Sequence, residues 1–262
     1  MAASFIGIDL AWSPRNSTGL AVLKPSRSAL RVHALRLGET DDEIREFVSE
    51  HLARLTVVMI DAPLVIPNRG GMRECDRLTH VEFGRQQAGC YPANRENMGR
   101  YTGGIPRGER IGKRLHRLGF PWPLGSLPGA GVRAGHWLFE CYPHPAQVRL
   151  FRLDRVLKYK KKRQPWDQAR AEFRRYLGLV RALRRPRLRL PVQLEKELDV
   201  TQAVGRGYKR REDLLDAVFC AYLAALVPYG ALEMLGEPRR GSIVVPRREA
   251  ERLGPRRGTS RR

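Results

Sequence analysis

The chain reads as an α/β protein with one mixed five-stranded sheet and helices on both faces. Three observations predict this. Apolar runs of strand length at 4–9, 19–23 and 31–37 alternate with turn residues, the pattern of an antiparallel meander. A helical stripe at 41–55 then leads into another apolar run at 56–60, and a further one follows at 136–141. Crossover segments between such runs make the later strands parallel and cover both faces of the sheet.

Each element has a local reason. Turns at 14–18 and 24–28 are rich in Pro, Asn, Ser and Arg. Thr40 is placed to cap the first helix; Asp41, Asp42 and Glu43 sit in its first turn, where negative charge suits the dipole, and Ile44, Phe47, Val48 and Leu52 form its apolar stripe. The stretch 67–135 is rich in Gly, Pro, Arg and Asn, with short helices expected at 73–83 and 111–118. It is too long for a simple connection and reads as a functional insertion between the fourth and fifth strands. Helices at 166–184 and 211–227 and a short strand at 241–246 complete a single domain over 1–246. A basic, flexible tail is expected at 247–262.

The chain has 262 residues, 42% of them hydrophobic, enough for one full core. Its longest apolar helical run, 217–227, stops at Pro228 and falls short of the ~18 residues of a membrane span. No basic stretch precedes Phe5, so no secretory signal is read. Cys75, Cys90, Cys141 and Cys220 are far apart, which points to reduced thiols in a cytoplasmic protein and away from zinc. Lys and Arg total 49 against 27 acids, a net charge of +22, so the expected partner is a polyanion such as DNA or RNA. Lys158, Lys160, Lys161, Lys162 and Arg163 form one basic run and Lys209, Arg210 and Arg211 a second. Both are candidates for phosphate contact; the competing reading is a solvated face in an Arg-rich chain.

The acids carry the chemistry. Three apolar strands end on Asp9, Asp61 and Glu140, and the last long helix carries Asp213 and Asp216 three residues apart, on one face. Carboxylates at the ends of buried strands are costly unless a positive charge meets them, and oxygen-only donors suit a hard divalent cation. Local explanations compete: a turn at Asp9, an Asx turn at Asp61 and a dipole-favoured helix acid at Asp213. Glu140, after Trp137, Leu138 and Phe139, has no local role to explain it.

The strand and helix order is that of ribonuclease H-like folds. Gly-Ile-Asp-Leu-Ala-Trp at 7–12, Ile-Asp-Ala-Pro-Leu at 60–64, Arg-Glu-Cys-Asp-Arg at 73–77, Pro-Ala-Asn at 92–94, Glu-Cys-Tyr-Pro-His at 140–144, Lys-Tyr-Lys-Lys at 158–161, Glu-Asp-Leu-Leu-Asp-Ala at 212–217 and Gly-Ser-Ile-Val-Val-Pro at 241–246 occur together and in order. With these segments the chain resembles domain-of-unknown-function family 429, predicted ribonuclease H-like nucleases. The resemblance implies catalytic roles for Asp9, Asp61 and the helix acids Asp213 and Asp216, with Asp216 preferred to Asp213 as a direct ligand; Glu140 has no counterpart in the ribonuclease H set, and its place at the end of the fifth strand makes it a ligand or a base. The expected metal ligands are therefore Asp9, Asp61, Glu140 and Asp216. Two Mg²⁺ or Mn²⁺ ions about 3.5–4 Å apart would then hold the scissile phosphate and activate water. Arg73, Asp76 and Asn94, in the family motifs, are expected to grip phosphate or sugar hydroxyls. The alternatives are a phosphotransferase or ATPase of the actin and sugar-kinase type, with Thr18 and Gly19 after the first acid, and a non-catalytic nucleic-acid-binding protein.

Overall fold

The computed structural model describes residues 2–249 apart from Tyr101, Pro123 and Arg163. Its main sheet contains β1 (Ala3–Asp9), β2 (Thr18–Pro25), β3 (Leu30–Gly38), β4 (Leu55–Ile60), β5 (Gly135–Glu140) and β6 (Leu188–Arg189), in the order β5-β4-β1-β2-β3-β6. The meander β1–β3 is antiparallel and β4 and β5 run parallel to β1, as the sequence predicts. The expectation of five strands is corrected to six, because β6 adds two residues parallel to Leu30 and Arg31 at the β3 edge. A strand that short carries no periodicity to read.

Alternation along the strands sorts side chains into two layers. Ile6, Ile8, Leu20, Val22, Val58, Ile60 and Leu138 pack on the side of helix α1 (Asp41–Glu50), with Ile44, Phe47 and Val48. Thr40 caps α1 by accepting the Glu43 N–H at 3.1 Å, while Leu52, assigned to the stripe, lies beyond the helix end and is exposed. Phe5, Ala21, Leu23, Val57, Met59 and Phe139 face the other layer.

Between β4 and β5 lie α2 (Glu74–Phe83), α3 (Arg95–Gly99) and α4 (Arg107–His116), the last contributing Ile111 and Leu115 to the α1 side. On the opposite face sit α5 (Pro143–Phe151), α6 (Trp166–Arg181), the short α7 (Val192–Glu197) and the long α8 (Gly205–Leu226). The strand at 241–246 is present as β8 (Gly241–Pro246), paired antiparallel with β7 (Leu232–Glu237) in a separate hairpin. Among the described residues no helix is long and apolar enough to cross a membrane, and all four cysteines are free and buried. Residues 250–262, most of the expected tail, lie outside the described residues, as does Arg163.

Helix α8 sits against the sheet because two positions have no side chain. A Cβ on Gly7 would stand 2.0 Å from the Ala217 carbonyl oxygen and 2.2 Å from the Ala221 nitrogen, and one on Gly19 would stand 2.0 Å from the Asp213 carbonyl oxygen. Close approach of helix backbone to β1 and β2 therefore requires glycine at both places. It brings the stripe Asp213, Asp216 and Ala217 down beside the end of β1.

Candidate acidic site

Parallel strands finish on the same edge, which is why β1 and β4 deliver their acids together. Ile8 is in register with Ile60, and the next residue, Asp61, donates its N–H to the Ile8 carbonyl at 2.8 Å. In the alternation Phe5, Gly7, Asp9 and Val57, Met59, Asp61 belong to the α8 face. Asp213 and Asp216 meet them from above.

Asp9 and Asp213 stand within hydrogen-bond reach of each other. Two carboxylates so placed cannot both ionise without a cation between them. Burial first, then Asp9, pushes Asp213 up to about 8, against the pull of Lys209, which is ion-paired to it. Asp9 is likewise raised, by burial and then by Asp216, with Lys160 opposing. Asp61 is held well above the usual carboxylate range by burial and by Asp9, Asp216 and Glu140. Asp216 is fully buried: its Oδ1 accepts the Tyr159 hydroxyl at 2.7 Å, and Lys160 Nζ lies 3.0 Å from its Oδ2. One turn away, burial pushes Glu212 up to about 7 while its Oε1 accepts the Lys161 N–H at 3.2 Å.

Two carboxylate oxygens in this group, Asp9 Oδ2 and Asp216 Oδ2, are buried without a hydrogen bond, the second having only the Lys160 ion pair. Buried acceptors in that condition are costly and need a positive partner. Among the described residues no group of three or more His, Cys, Asp or Glu side chains is placed to hold a metal ion. Asp9 and Asp213, within hydrogen-bond reach of each other, offer carboxylate oxygens of the kind that Mg²⁺ or Mn²⁺ accept alongside several waters.

A family model described as Protein of unknown function (DUF429) matches residues 7–240. The chain belongs to that family. No curated protein and no solved structure was found to match it.

Several family-motif residues lie elsewhere than expected. Glu140 is the clearest correction. Ile60 is in register with Glu140, so the residue beside Asp61 is Cys141, whose thiol faces Cys220 of α8 at 3.5 Å. Glu140 points to the opposite face. There its oxygens accept Arg73 Nη2 at 2.6 Å and Arg73 Nη1 at 2.9 Å, together with the Leu64 N–H at 2.9 Å. Arg73 also bonds Asp76 at 2.7 Å and the Val65 carbonyl at 3.1 Å, and Asp76 accepts the Ala93 N–H at 2.9 Å. Asn94 caps α3 by accepting the Asn97 N–H at 2.8 Å and donates to the Gly71 carbonyl at 2.9 Å. Arg73, Asp76 and Asn94 are thus buried and bonded within the chain rather than turned toward a ligand. Removing both partners' charge from water is tolerable only because the pairing is bidentate and nearly complete.

The basic runs also divide. Lys158 and Arg210 are exposed; Lys162 reaches Tyr91 Oη at 3.0 Å, Lys161 lies over the Trp166 ring at 4.9 Å, and Arg211 donates to the Gly207 carbonyl at 2.8 Å. Lys160 and Lys209, expected to contact phosphates from the surface, instead face the acids. Tyr159, Glu212 and the pair Tyr142–His144, whose Oη and Nδ1 lie 2.9 Å apart, lie in the family motifs but are not among the expected site residues. His144 lies in the first turn of α5, and burial and then Lys160 push it down to about 3.

Proposed function

We propose that the chain is a metal-dependent phosphodiesterase acting on nucleic acid, on a ribonuclease H-like arrangement of strands. One observation carries the reading: Asp9, with a buried oxygen lacking any hydrogen bond, stands among Asp61, Asp213 and Asp216 at one edge of the sheet. Five carboxyl groups, Asp9, Asp61, Glu212, Asp213 and Asp216, face two ammonium groups, Lys160 and Lys209. That excess stores protons in the free protein and favours a divalent cation in their place.

Asp9 and Asp213, within hydrogen-bond reach of each other, would hold Mg²⁺ or Mn²⁺ with water completing the shell. The bound ion supplies Lewis acidity and a water of lowered pKa for attack on phosphorus. Asp216 is fixed by Tyr159 and Lys160 and orients that lysine toward the acids. The order β3-β2-β1-β4-β5, with an acid-bearing helix across it, supports the fold part of the reading, and the net charge of +22 with exposed Lys158, Lys162 and Arg210 supports a polyanionic substrate. For the phosphotransferase alternative, Thr18 would have to meet a nucleotide phosphate. Its hydroxyl is buried and accepts the Ala11 N–H at 3.3 Å.

Purified protein with Mn²⁺ and labelled single-stranded, duplex, hybrid and junction substrates tests the proposal. Cleavage of at least one substrate that stops on adding EDTA is expected. ATP hydrolysis without cleavage of any substrate would transfer the chain to the phosphotransferase class.

A further inference from the structure

Away from the acids, a groove of about 260 Å³ runs between the loop at 155–158 and helix α6. Gln168, Ala171, Glu172 and Arg175 line it from α6, at the three- and four-residue intervals that put side chains on one face of a helix, beside the buried face of Ala169, Phe173 and Tyr176. Arg155 and Lys158 line the facing wall. That wall is fastened in place: the Val156 N–H donates to the Gln86 carbonyl at 2.8 Å, Arg155 Nε to Gln87 Oε1 at 2.9 Å and the Lys158 N–H to Glu172 Oε2 at 3.1 Å. Gln87 holds Arg155 from a left-handed backbone conformation, φ 58°, which is uncommon outside glycine and persists where the surroundings fix it.

The charges in this groove do not balance. Three cations, Arg155, Lys158 and Arg175, face one carboxylate, Glu172, whose Oε2 is taken by the Lys158 N–H and whose Oε1 lies 3.5 Å from Arg175 Nη1. Among the described residues the Lys158 ammonium, both terminal nitrogens of Arg155, and Nε and Nη2 of Arg175 have no partner in the chain. Like charges around one concavity focus a positive field and raise the local concentration of anions. Guanidinium forks and an ammonium match phosphate oxygens. The lining has no aromatic ring to stack on a base and no strand edge to pair with a peptide, so the anion it suits is a phosphate backbone. Lys160, paired to Asp216 at 3.0 Å, follows Lys158 by two residues, at most about 7 Å of chain, so the groove lies close to the acids.

We propose that Arg155, Lys158 and Arg175 form an anchoring site for the phosphodiester backbone of nucleic acid, separate from the acids and indifferent to base sequence. The proposal rests on the nucleic-acid reading above and gives the polymer a defined seat, where net charge gives only a general attraction.

Fluorescence anisotropy with a labelled mixed-sequence oligonucleotide, single-stranded and duplex, in EDTA measures binding by the full chain without cleavage. The wild type should bind with an affinity that falls as salt rises. Arg155→Gln, Lys158→Gln and Arg175→Gln together should lower the slope of log affinity against log salt by about 2–3 and weaken binding about tenfold or more; Lys158→Gln alone should lower the slope by about 1. The charge-keeping set Arg155→Lys, Lys158→Arg and Arg175→Lys should keep it. A control set, Arg27→Gln, Arg31→Gln and Arg54→Gln, removes the same charge from exposed positions around the starts of β3 and β4 and should leave the slope as it is. Thermal melts check that each set is folded. An unchanged slope in the groove set, an equal loss in the control set, or displacement by polyglutamate as effective as by unlabelled DNA overturns the proposal and leaves the metal-dependent reading to its own cleavage test. No binding of either oligonucleotide by the wild type overturns the proposal together with the nucleic-acid part of that reading.

Discussion

Arg73 spends every direction of its guanidinium inside the protein, on Glu140, Asp76 and the Val65 carbonyl. Removing one member of such a buried set leaves the others charged and unpaired, which costs about 3–5 kcal/mol. Arg73→Ala should therefore lower the unfolding free energy, read from the denaturant midpoint and slope, by an amount in that range. Arg73→Lys should recover only part of the loss, because an ammonium cannot bind Glu140 in a bidentate way. An unchanged midpoint in Arg73→Ala would remove this cluster from the stability of the fold. The same residues mark the limit of reading single positions from the sequence. Glu140 and Cys141 are neighbours, and which of them shares a face with Asp61 depends on the register of β4 against β5. A slip of one residue exchanges the faces, and nothing local in Trp137-Leu-Phe-Glu-Cys records the register. Lys160 was equally illegible among four other basic residues, since its inward turn depends on Tyr208 and Glu212, both distant in sequence.

Among the elements, the packing of α8 on β1 and β2 places half of the acidic site. Gly7→Ala would put a methyl carbon 2.0 Å from the Ala217 carbonyl oxygen, backbone that cannot give way. The helix must then lift, carrying Asp213 and Asp216 with it. The expected outcome is a destabilisation of at least about 1–3 kcal/mol, as for other overpacked cores, together with weakened Mn²⁺ binding, read by thermal melting and calorimetry on one sample. Wild-type melting and wild-type Mn²⁺ affinity in Gly7→Ala would mean that this contact does not position the acids. The elements with strong periodicity were legible: β1 to β5, the capped α1 and the acid face of α8 follow from alternation, a Thr cap and a three-residue spacing. Those that depend on distant partners were not. β7, with its internal Gly236, gains its identity from β8, and α5 begins at Pro143 directly after β5 with too few residues to show a stripe.

At the scale of the whole molecule, the acid cluster makes stability depend on pH with a definite sign. Asp213, ordinarily near 3.8, is raised to about 8, and Glu212, ordinarily near 4.5, to about 7; Asp9 and Asp61 are raised as well. Over that interval the folded chain binds more protons than the unfolded chain, so the stabilisation is complete below the ordinary carboxylate values and declines as pH rises toward 8. Thermal melts in EDTA should give a lower Tm at pH 8 than at pH 5, and Mn²⁺ added at pH 8 should restore part of the difference by binding where protons have left. A Tm that rises between pH 5 and pH 8 in EDTA would contradict the clustering of these acids. The claim on which the rest depends is that Asp9 holds the cation that cleaves a phosphodiester, and cleavage by wild type and Asp9→Asn, prepared identically and compared across a Mn²⁺ series, tests it most directly. The substitution keeps the size of the side chain and removes the charge. The expected result is Mn²⁺-dependent cleavage by the wild type and none by Asp9→Asn, with nucleic-acid affinity equal or higher in the variant because a negative charge facing the phosphate has gone. Equal Mn²⁺-dependent cleavage by both proteins would contradict it.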